Sequence, residues 1–267
     1  FLLVRGLYTA TSGALVAQSM ADNVANNLAN VNTNGFKQTL LQVESAQTLD
    51  IYRVQTDPGA TSTGASKGVP VAQYVGILGT GAQIHDTPNS FEQGPLQQTG
   101  NALDLAITGS GNAFFTIRTP QGIRYTRDGE FVRDAQGVMR TQDGSAVLSS
   151  QGQPIQLQDQ GAITVGSDGT IAQNGQRVAQ LQLTGFGSLL NLRAEGANNF
   201  AVSGNAGPQA VTGASVQQGA LEKSNANVVR SMVDLITAER WFDANEKAVK
   251  TQDDATNLAI TQVAKTQ

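Results

Sequence analysis

Asp128, Glu130 and Asp134 come nearest, by type and spacing, to doing chemistry, since such acids hold a calcium ion or act as a glycosidase pair. Their spacing is not that of an EF-hand loop, and no Glu stands at its twelfth position. Acids of a hairpin turn account for them with fewer assumptions. His85 is the only histidine, so no His–His metal set and no Ser–His pair with a choice of base can be built; it reads as a surface residue. Gly79-Thr80-Gly81 and Gly109-Ser110-Gly111 are fragments of phosphate loops that complete neither GxGxxG nor GxxxxGK[ST], and both read as tight turns. Asp253-Asp254 lies in a helical stretch and reads as a solvated face. Cysteine is absent, which excludes disulfides, thiolate catalysis and Cys-based metal sites. The sequence therefore predicts no catalytic residue, no cofactor and no metal.

The 267 residues suffice for one large or two modest domains. Charged residues make up 14% and aromatics 5%, with a net charge of −4, and no Lys/Arg stripe points to nucleic acid. A polar surface with so little charge suits contact between identical neighbours. No run of 18 apolar residues exists to cross a membrane as a helix. The opening Phe1-Leu2-Leu3-Val4 is too short for a signal-peptide core and is interrupted by Arg5, so an export route without a cleaved leader is expected.

Glycine and proline divide the chain. All seven Pro lie between Pro58 and Pro208, and neither Gly nor Pro occurs from Ala220 to Gln267, so that end can be helical throughout. Near the start, Leu7, Ala14, Ala21 and Leu28 repeat every seven residues, with Ala10, Ala17, Val24 and Val31 as the companion line. That is a coiled-coil seam, thin because it is alanine-rich. Gly6 and Gly13 each weaken an isolated helix by roughly 1 kcal/mol, so a partner helix is expected. In the C-terminal stretch Val228, Leu235, Phe242, Val249 and Val263 follow the same period with Thr256 as the one interruption, while the companion line Ser231, Ala238, Asn245, Gln252 and Ala259 is ragged and half polar. Val229, Met232, Ile236 and Trp241 add a second apolar edge, which suggests contact with more than one helix. On composition alone, an ordinary helical hairpin closing one domain stays open as the alternative.

Between the ends the pattern is β. Leu103–Ile107 alternates and Phe114-Phe115-Thr116-Ile117 reads as a buried strand. Asp128-Gly129, Asp143-Gly144, Asp168-Gly169 and Asn174-Gly175 recur as hairpin turns between short apolar runs. The expected class is α+β: long N- and C-terminal helices forming a coiled coil, with a central antiparallel all-β domain. The expected divisions are an N-terminal helix over 1–37, an extended connector over 38–89, a β-rich domain over 90–215 and a C-terminal helix over 216–267.

The densest local signal is Ala25 to Lys37, ANNLANVNTNGFK. Asn is a poor helix-interior residue, yet Asn23, Asn26, Asn27 and Asn30 crowd one short stretch. They read as an amide ladder able to pair identical subunits without charge repulsion. Asn34-Gly35 reads as the helix stop, with Gly35 in the left-handed conformation and Phe36 folded back.

This stretch resembles the N-terminal signature of the bacterial flagellar axial proteins of rod and hook. Leu7-Tyr8-Thr9-Ala10 with Ser12-Gly13, Thr99 to Ile107, Tyr125 to Gly129, and Gln217 to Val228 followed by Met232–Ile236 and Arg240 are similar to further motifs of that family, in family order. The resemblance implies signature residues Asn26, Asn27, Leu28, Ala29, Asn30, Thr33, Gly35, Phe36 and Lys37. It implies polymerisation along Leu7, Ala14, Ala21, Val24, Leu28, Val31, Val228, Leu235, Phe242 and Val249. It further implies a basal-body rod subunit in the cell envelope, outside the cytoplasm, exported by the type III apparatus. Such a subunit assembles with its own kind into a hollow tube that transmits torque and passes later subunits. Its partners would be neighbouring rod and hook proteins and the surrounding rings. Asp57 to Gly81 followed by Phe91 to Leu96 is most similar to the distal-rod branch. A proximal rod or hook-type subunit is the alternative within the family, and a secreted β-rich enzyme or adhesin the alternative outside it.

Overall fold

The computed structural model describes residues 2–55, 71–158, 161–196, 198–203, 207–211 and 213–264. They fall into two compact units, one drawn from 1–22, 41–86 and 234–267, the other from 23–40 and 87–233. Two long helices, α1 (Leu2–Ala29) and α2 (Val228–Ala264), contribute to both. As the sequence predicts, the class is α+β, with a helix towards each end and an antiparallel β body between them.

In the first unit the stretch read as a connector carries four strands. β1 (Gln42–Ser45) pairs with β4 (Ala82–Asp86), and β2 (Leu49–Gln55) pairs with β3 (Val71–Leu78). Leu49, Ile51, Tyr52 and Val54 and the mostly apolar run Val71–Leu78 are the strand signal that the Gly- and Ser-rich surroundings obscured. Part of the expected connector, residues 56–70, lies outside the described residues.

The second unit is built on β7 (Ala113–Thr119), which pairs with β8 (Gly122–Thr126), β11 (Ala146–Val147) and β15 (Leu183–Gly185). Because successive side chains of a strand point to opposite faces, β7 feeds two cores. Phe115 and Ile117 enter an aliphatic core with Leu105, Ile107, Phe131, Met139 and Ile171. Phe114 enters an aromatic one with Phe91, Phe186 and Phe200, packed edge-to-face at centroid separations of 5.4, 5.8 and 5.9 Å. This double burial is why Phe114, Phe115 and Ile117 place apolar side chains on both faces of the strand.

Turn chemistry behaves as expected at three sites and fails at one. Asn174 (φ 53°) and Gly175 (φ 79°) form the two-residue turn between β13 (Thr170–Gln173) and β14 (Gln176–Gln180), and Gly144 and Gly169 are left-handed. Asp128-Gly129 is not a hairpin turn. The strands before and after it, β8 and β9 (Phe131–Arg133), pair elsewhere, and the Gly129 carbonyl accepts from Leu105 N–H at 3.0 Å. A glycine is needed there for space, since a Cβ would overlap the Leu105 carbonyl oxygen.

Both helices are shorter than expected. α1 ends at Ala29 instead of 37, because the asparagines that follow spend their side chains on backbone and turn contacts. Gln217–Glu222 is strand, not helix: β19 (Ser215–Gln218) pairs with β6 (Leu105–Thr108), and β20 (Ala220–Glu222) with β5 (Leu96–Gln98). α2 starts after Asn227, whose Oδ1 accepts from Arg230 N–H at 3.0 Å as an N-cap.

Gly129→Ala is expected to destabilise the chain by about 3 kcal/mol or more in urea denaturation followed by circular dichroism, because backbone must move. Gly144→Ala, left-handed but facing open space, should cost only about 1 kcal/mol.

Candidate functional site

The Ala25–Lys37 signature folds within the second unit, together with Arg127 and with the chain just ahead of α2. Several of its polar side chains make hydrogen bonds inside the chain. Asn27 is buried at 7% exposure, its Nδ2 donates to the Thr39 carbonyl at 2.8 Å, and its Oδ1 accepts from Thr39 N–H at 2.8 Å. The amide thus acts as a strand partner for the backbone leaving the helix. Asn23 Oδ1 accepts from the same Nδ2 at 3.2 Å. Asn30 Nδ2 donates to the Asn26 carbonyl at 2.9 Å, and Thr33 Oγ1 donates to Asn30 Oδ1 at 3.3 Å. Asn23, Asn27 and Asn30, read from the sequence as an amide ladder, all make hydrogen bonds within the chain that close the helix end.

Past the helix the chain is pinned more firmly. Asn34 Nδ2 donates to Glu130 Oε2 at 2.7 Å, and Asn34 Oδ1 accepts from Lys223 Nζ at 2.9 Å. Gly35 is left-handed (φ 67°) and lies so close to the Arg127–Asp128 peptide that any Cβ would overlap it. Its N–H donates to the Glu222 carbonyl at 2.7 Å. Phe36 lines a groove of about 290 Å³ with Asn26, Asn30, Asn198 and Phe200.

At the centre, Lys37, Arg127 and Glu222 have no exposed side-chain surface. Glu222 Oε1 accepts from Lys37 Nζ at 2.6 Å and from Gly94 N–H at 2.9 Å, while Oε2 accepts from Arg127 Nη1 at 3.0 Å. Lys37 Nζ also donates to the Glu92 carbonyl at 2.6 Å, and Arg127 Nη2 to the Ser110 carbonyl at 2.7 Å. The guanidinium lies 5.2 Å over the Phe114 ring. Burial lowers the pKa of Lys37 and of Arg127, and the Glu222 carboxylate opposes that shift in each. Two basic side chains thus share one carboxylate in a site with no exposed side-chain surface. Such a cluster is stable only while every partner is present. Neither Arg127 nor Glu222 stood among the sequence-predicted site residues. Gly94 is equally constrained, since a Cβ would overlap the Lys223 carbonyl.

The acids considered for chemistry are all spoken for. Asp134 pairs with Arg140, Glu130 accepts from Asn34 and Gln142, and Asp128 Oδ1 accepts from Glu130 N–H at 3.0 Å. Among the described residues no three His, Cys, Asp or Glu side chains gather in a metal-holding group. Burial first, then the charges of Glu130, Asp143 and Asp104, push Asp128 up to about 6, against its accepted backbone hydrogen bond. His85 Nδ1 lies 3.2 Å from Glu44 Oε2 in the open. Gly79–Gly81 and Gly109–Gly111 join β3 to β4 and β6 to β7.

The expected seam is unevenly buried. Ala10, Ala17 and Val24 are buried; Ala14, Ala21, Leu28, Val31, Leu235 and Val249 are partly covered; Leu7, Val228 and Phe242 are exposed. On α2 the buried positions are Ser231 and Ala238, on the line the sequence showed as ragged.

Residues 217–261 match the family described as flagellar basal body rod FlgEFG protein C-terminal, and residues 106–173 match the flagellar hook protein FlgE/F/G D1 domain. The chain is 34% identical over 260 residues to the flagellar basal-body rod protein FlgF of Caulobacter vibrioides, covering 97% of this chain and 98% of that protein. It is 32% identical to the FlgG rod protein of Borreliella burgdorferi, with 96% and 98% covered, and 33% identical to that of Bacillus subtilis, with 94% and 96% covered.

Two outcomes are expected here. Glu222→Gln, which leaves two buried cations without their counter-charge, should destabilise the chain by about 3–5 kcal/mol in denaturant titration. Asp128, raised from 3.8 to about 6, binds its proton more tightly folded than unfolded. Its contribution is therefore present below the unfolded value and lost as pH rises through about 6, a change on the order of 3 kcal/mol. Asp128→Asn should flatten that part of the stability–pH curve.

Proposed function

This chain belongs to the flagellar rod and hook family, and from that premise we propose that it is a structural subunit of the basal-body rod, of the distal type. It polymerises into a hollow helical tube, the drive shaft that carries torque across the envelope and passes exported subunits along its bore. The observation that carries this reading is apolar surface left uncovered on both helices. Tyr8 and Leu15 on α1 stand in solvent, as do Val229 (72% exposed), Met232, Val233, Ile236, Trp241 (54%), Leu258 and Ile260 on α2. Apolar surface on that scale marks an interaction face. Burying it at roughly 25 cal/mol per Å² supplies the drive for assembly. In the tube the two helices would run as a coiled coil, with Leu7, Phe242 and Val228 covered by neighbouring copies.

The distal assignment rests on the segment Asp57 to Gly81 with Phe91 to Leu96. FlgF and FlgG relatives match at similar identity, so a proximal-type subunit is the second reading. Neighbouring rod and hook proteins, the surrounding rings and the type III export apparatus are the partners this role implies, with an extracytoplasmic position in the basal body. Nothing in the role calls for catalysis, a cofactor or a metal.

The test uses a motile strain lacking its own copy and complemented with the chain. Ile236→Asp/Trp241→Ala should abolish swimming and cut recovery in purified basal bodies more than about tenfold, on the order of 1–3 kcal/mol for each lost apolar anchor. The denaturation midpoint of the purified variant should stay within about 0.5 kcal/mol of the parent. Normal incorporation of the double variant contradicts the assigned face, and absence of the parent chain from basal bodies contradicts the rod reading itself.

A further inference from the structure

Two glycines of α1, Gly6 and Gly13, stand seven residues apart, and over each lies a side-chain amide of α2. The Gln252 amide occupies the space a Cβ on Gly6 would take. At Gly13 an added Cβ would sit 2.7 Å from Asn245 Oδ1 and 3.1 Å from Asn245 Cγ. Asn245 and Gln252 are also seven residues apart, and the pairs run in opposite directions, Gly6 with Gln252 and Gly13 with Asn245. The four residues belong to the same compact unit. Ser12, beside Gly13, extends the pattern: its Oγ accepts from Ala82 N–H at 3.3 Å and fills the space beside Gly81.

Helical propensity gives no reason for these glycines, since each costs a helix interior roughly 1 kcal/mol relative to Ala. Nor does apolar burial give a reason for Asn245 and Gln252, half covered in a helix whose neighbouring apolar residues stand exposed. The amide of Asn245 is oriented by its own helix, Nδ2 donating to the Trp241 carbonyl at 2.8 Å. Gln252 Oε1 is buried with no hydrogen-bond partner among the described residues. A position that leaves a buried acceptor unpaired is not selected by hydrogen bonding; shape holds it, the flat amide filling the notch where a side chain is missing.

We propose that Gly6/Gln252 and Gly13/Asn245 form a heptad-spaced glycine–amide lock that sets the antiparallel register of α1 against α2 within one chain. Slippage by one residue brings a β-carbon against each amide, and slippage by a turn leaves both notches empty. Only one register seats both pairs, so every copy presents its exposed apolar edges at the same height. The lock concerns the helices that the rod reading assigns to the tube, and it specifies the subunit's own geometry, which that reading leaves open.

The chain has no cysteine of its own, so engineered pairs report register without background. Asn245 Cγ lies one bond from its Cβ, which places the Cβ atoms of a Gly13→Cys/Asn245→Cys pair no more than about 4.6 Å apart, at the upper edge of the span a disulfide bridges. On non-reducing gels of the purified full-length chain, this pair and Gly6→Cys/Gln252→Cys should both convert to a faster-migrating monomer under mild oxidation. The control Gly13→Cys/Lys247→Cys, on another face of α2, should stay reduced. In a companion melt, Gly13→Ala should lower the transition and Asn245→Ala in the same chain should restore it; propensity alone predicts that Gly13→Ala raises it whatever stands at 245. Failure of both pairs to cross-link, or cross-linking only as dimers, or a rise in the melt with Asn245 present, overturns the lock. None of these readouts requires assembly, so they stand apart from the basal-body recovery that tests the rod reading.

Discussion

One carboxylate ties together the segment that follows α1 and the segment that precedes α2. Glu222 sits at the end of the last strand before α2, and it takes Lys37, Arg127 and the Gly94 amide into a site closed to solvent. An ion cluster in a dry interior does not owe its place to net stabilisation, because desolvation consumes most of the Coulomb attraction. What it provides is an all-or-none condition. The N-terminal segment cannot leave without stranding Glu222 beside Arg127, and the C-terminal segment cannot leave without stranding two cations. The surrounding contacts obey the same logic: Gly35 against the Arg127–Asp128 peptide, Gly94 against the Lys223 carbonyl, and Asn225 bridging Gln38 to Ser90.

That arrangement suits the structural role proposed above. Gly35 and Gly94 bring backbone to within contact distance of backbone, so these contacts run through peptide units and not through long flexible side chains. The glycines of α1 serve a different end, leaving room for amides and thereby setting one helix against the other. The three uses of glycine here, a left-handed turn, a backbone contact and a helix notch, look alike in a sequence and are separated only by what lies opposite.

Much of the architecture was legible. The distribution of Gly and Pro marks out the helical ends, the run at Phe114–Ile117 marks the central strand, and Asn174-Gly175 marks the turn between β13 and β14, since each is encoded within a few residues. The junction was not legible because its partners are distant: Lys37 and Glu222 are 185 positions apart, and Arg127 and Glu222 are 95 apart. No periodicity links them. Asn27 misled for a related reason, since an amide at helical spacing announces a hydrogen bond without naming the partner, which proved to be Thr39 in the same chain. Gln217–Glu222 lacks Gly and Pro apart from Gly219 and adjoins a true helix, so its strand character depends on Leu96–Gln98 and Leu105–Thr108 lying alongside. The polar line on α2 looked ragged because apolar periodicity was the signal sought, whereas Asn245 and Gln252 are placed by the glycines opposite them.

Native-state hydrogen exchange tests the central claim, that the junction opens as a unit. The N–H of Gly35 donates to the Glu222 carbonyl at 2.7 Å, that of Gly94 to the Glu222 carboxylate at 2.9 Å, and that of Gln38 to Asn225 Oδ1 at 2.8 Å. Gly35 and Gln38 lie in the segment after α1, and Gly94 in one far along the chain. With increasing denaturant they should exchange through one common opening, sharing a single free energy and a single denaturant dependence, as a cooperative unit does. Three distinct opening energies, or exchange of Gly35 and Gln38 while Gly94 stays protected, would contradict the account.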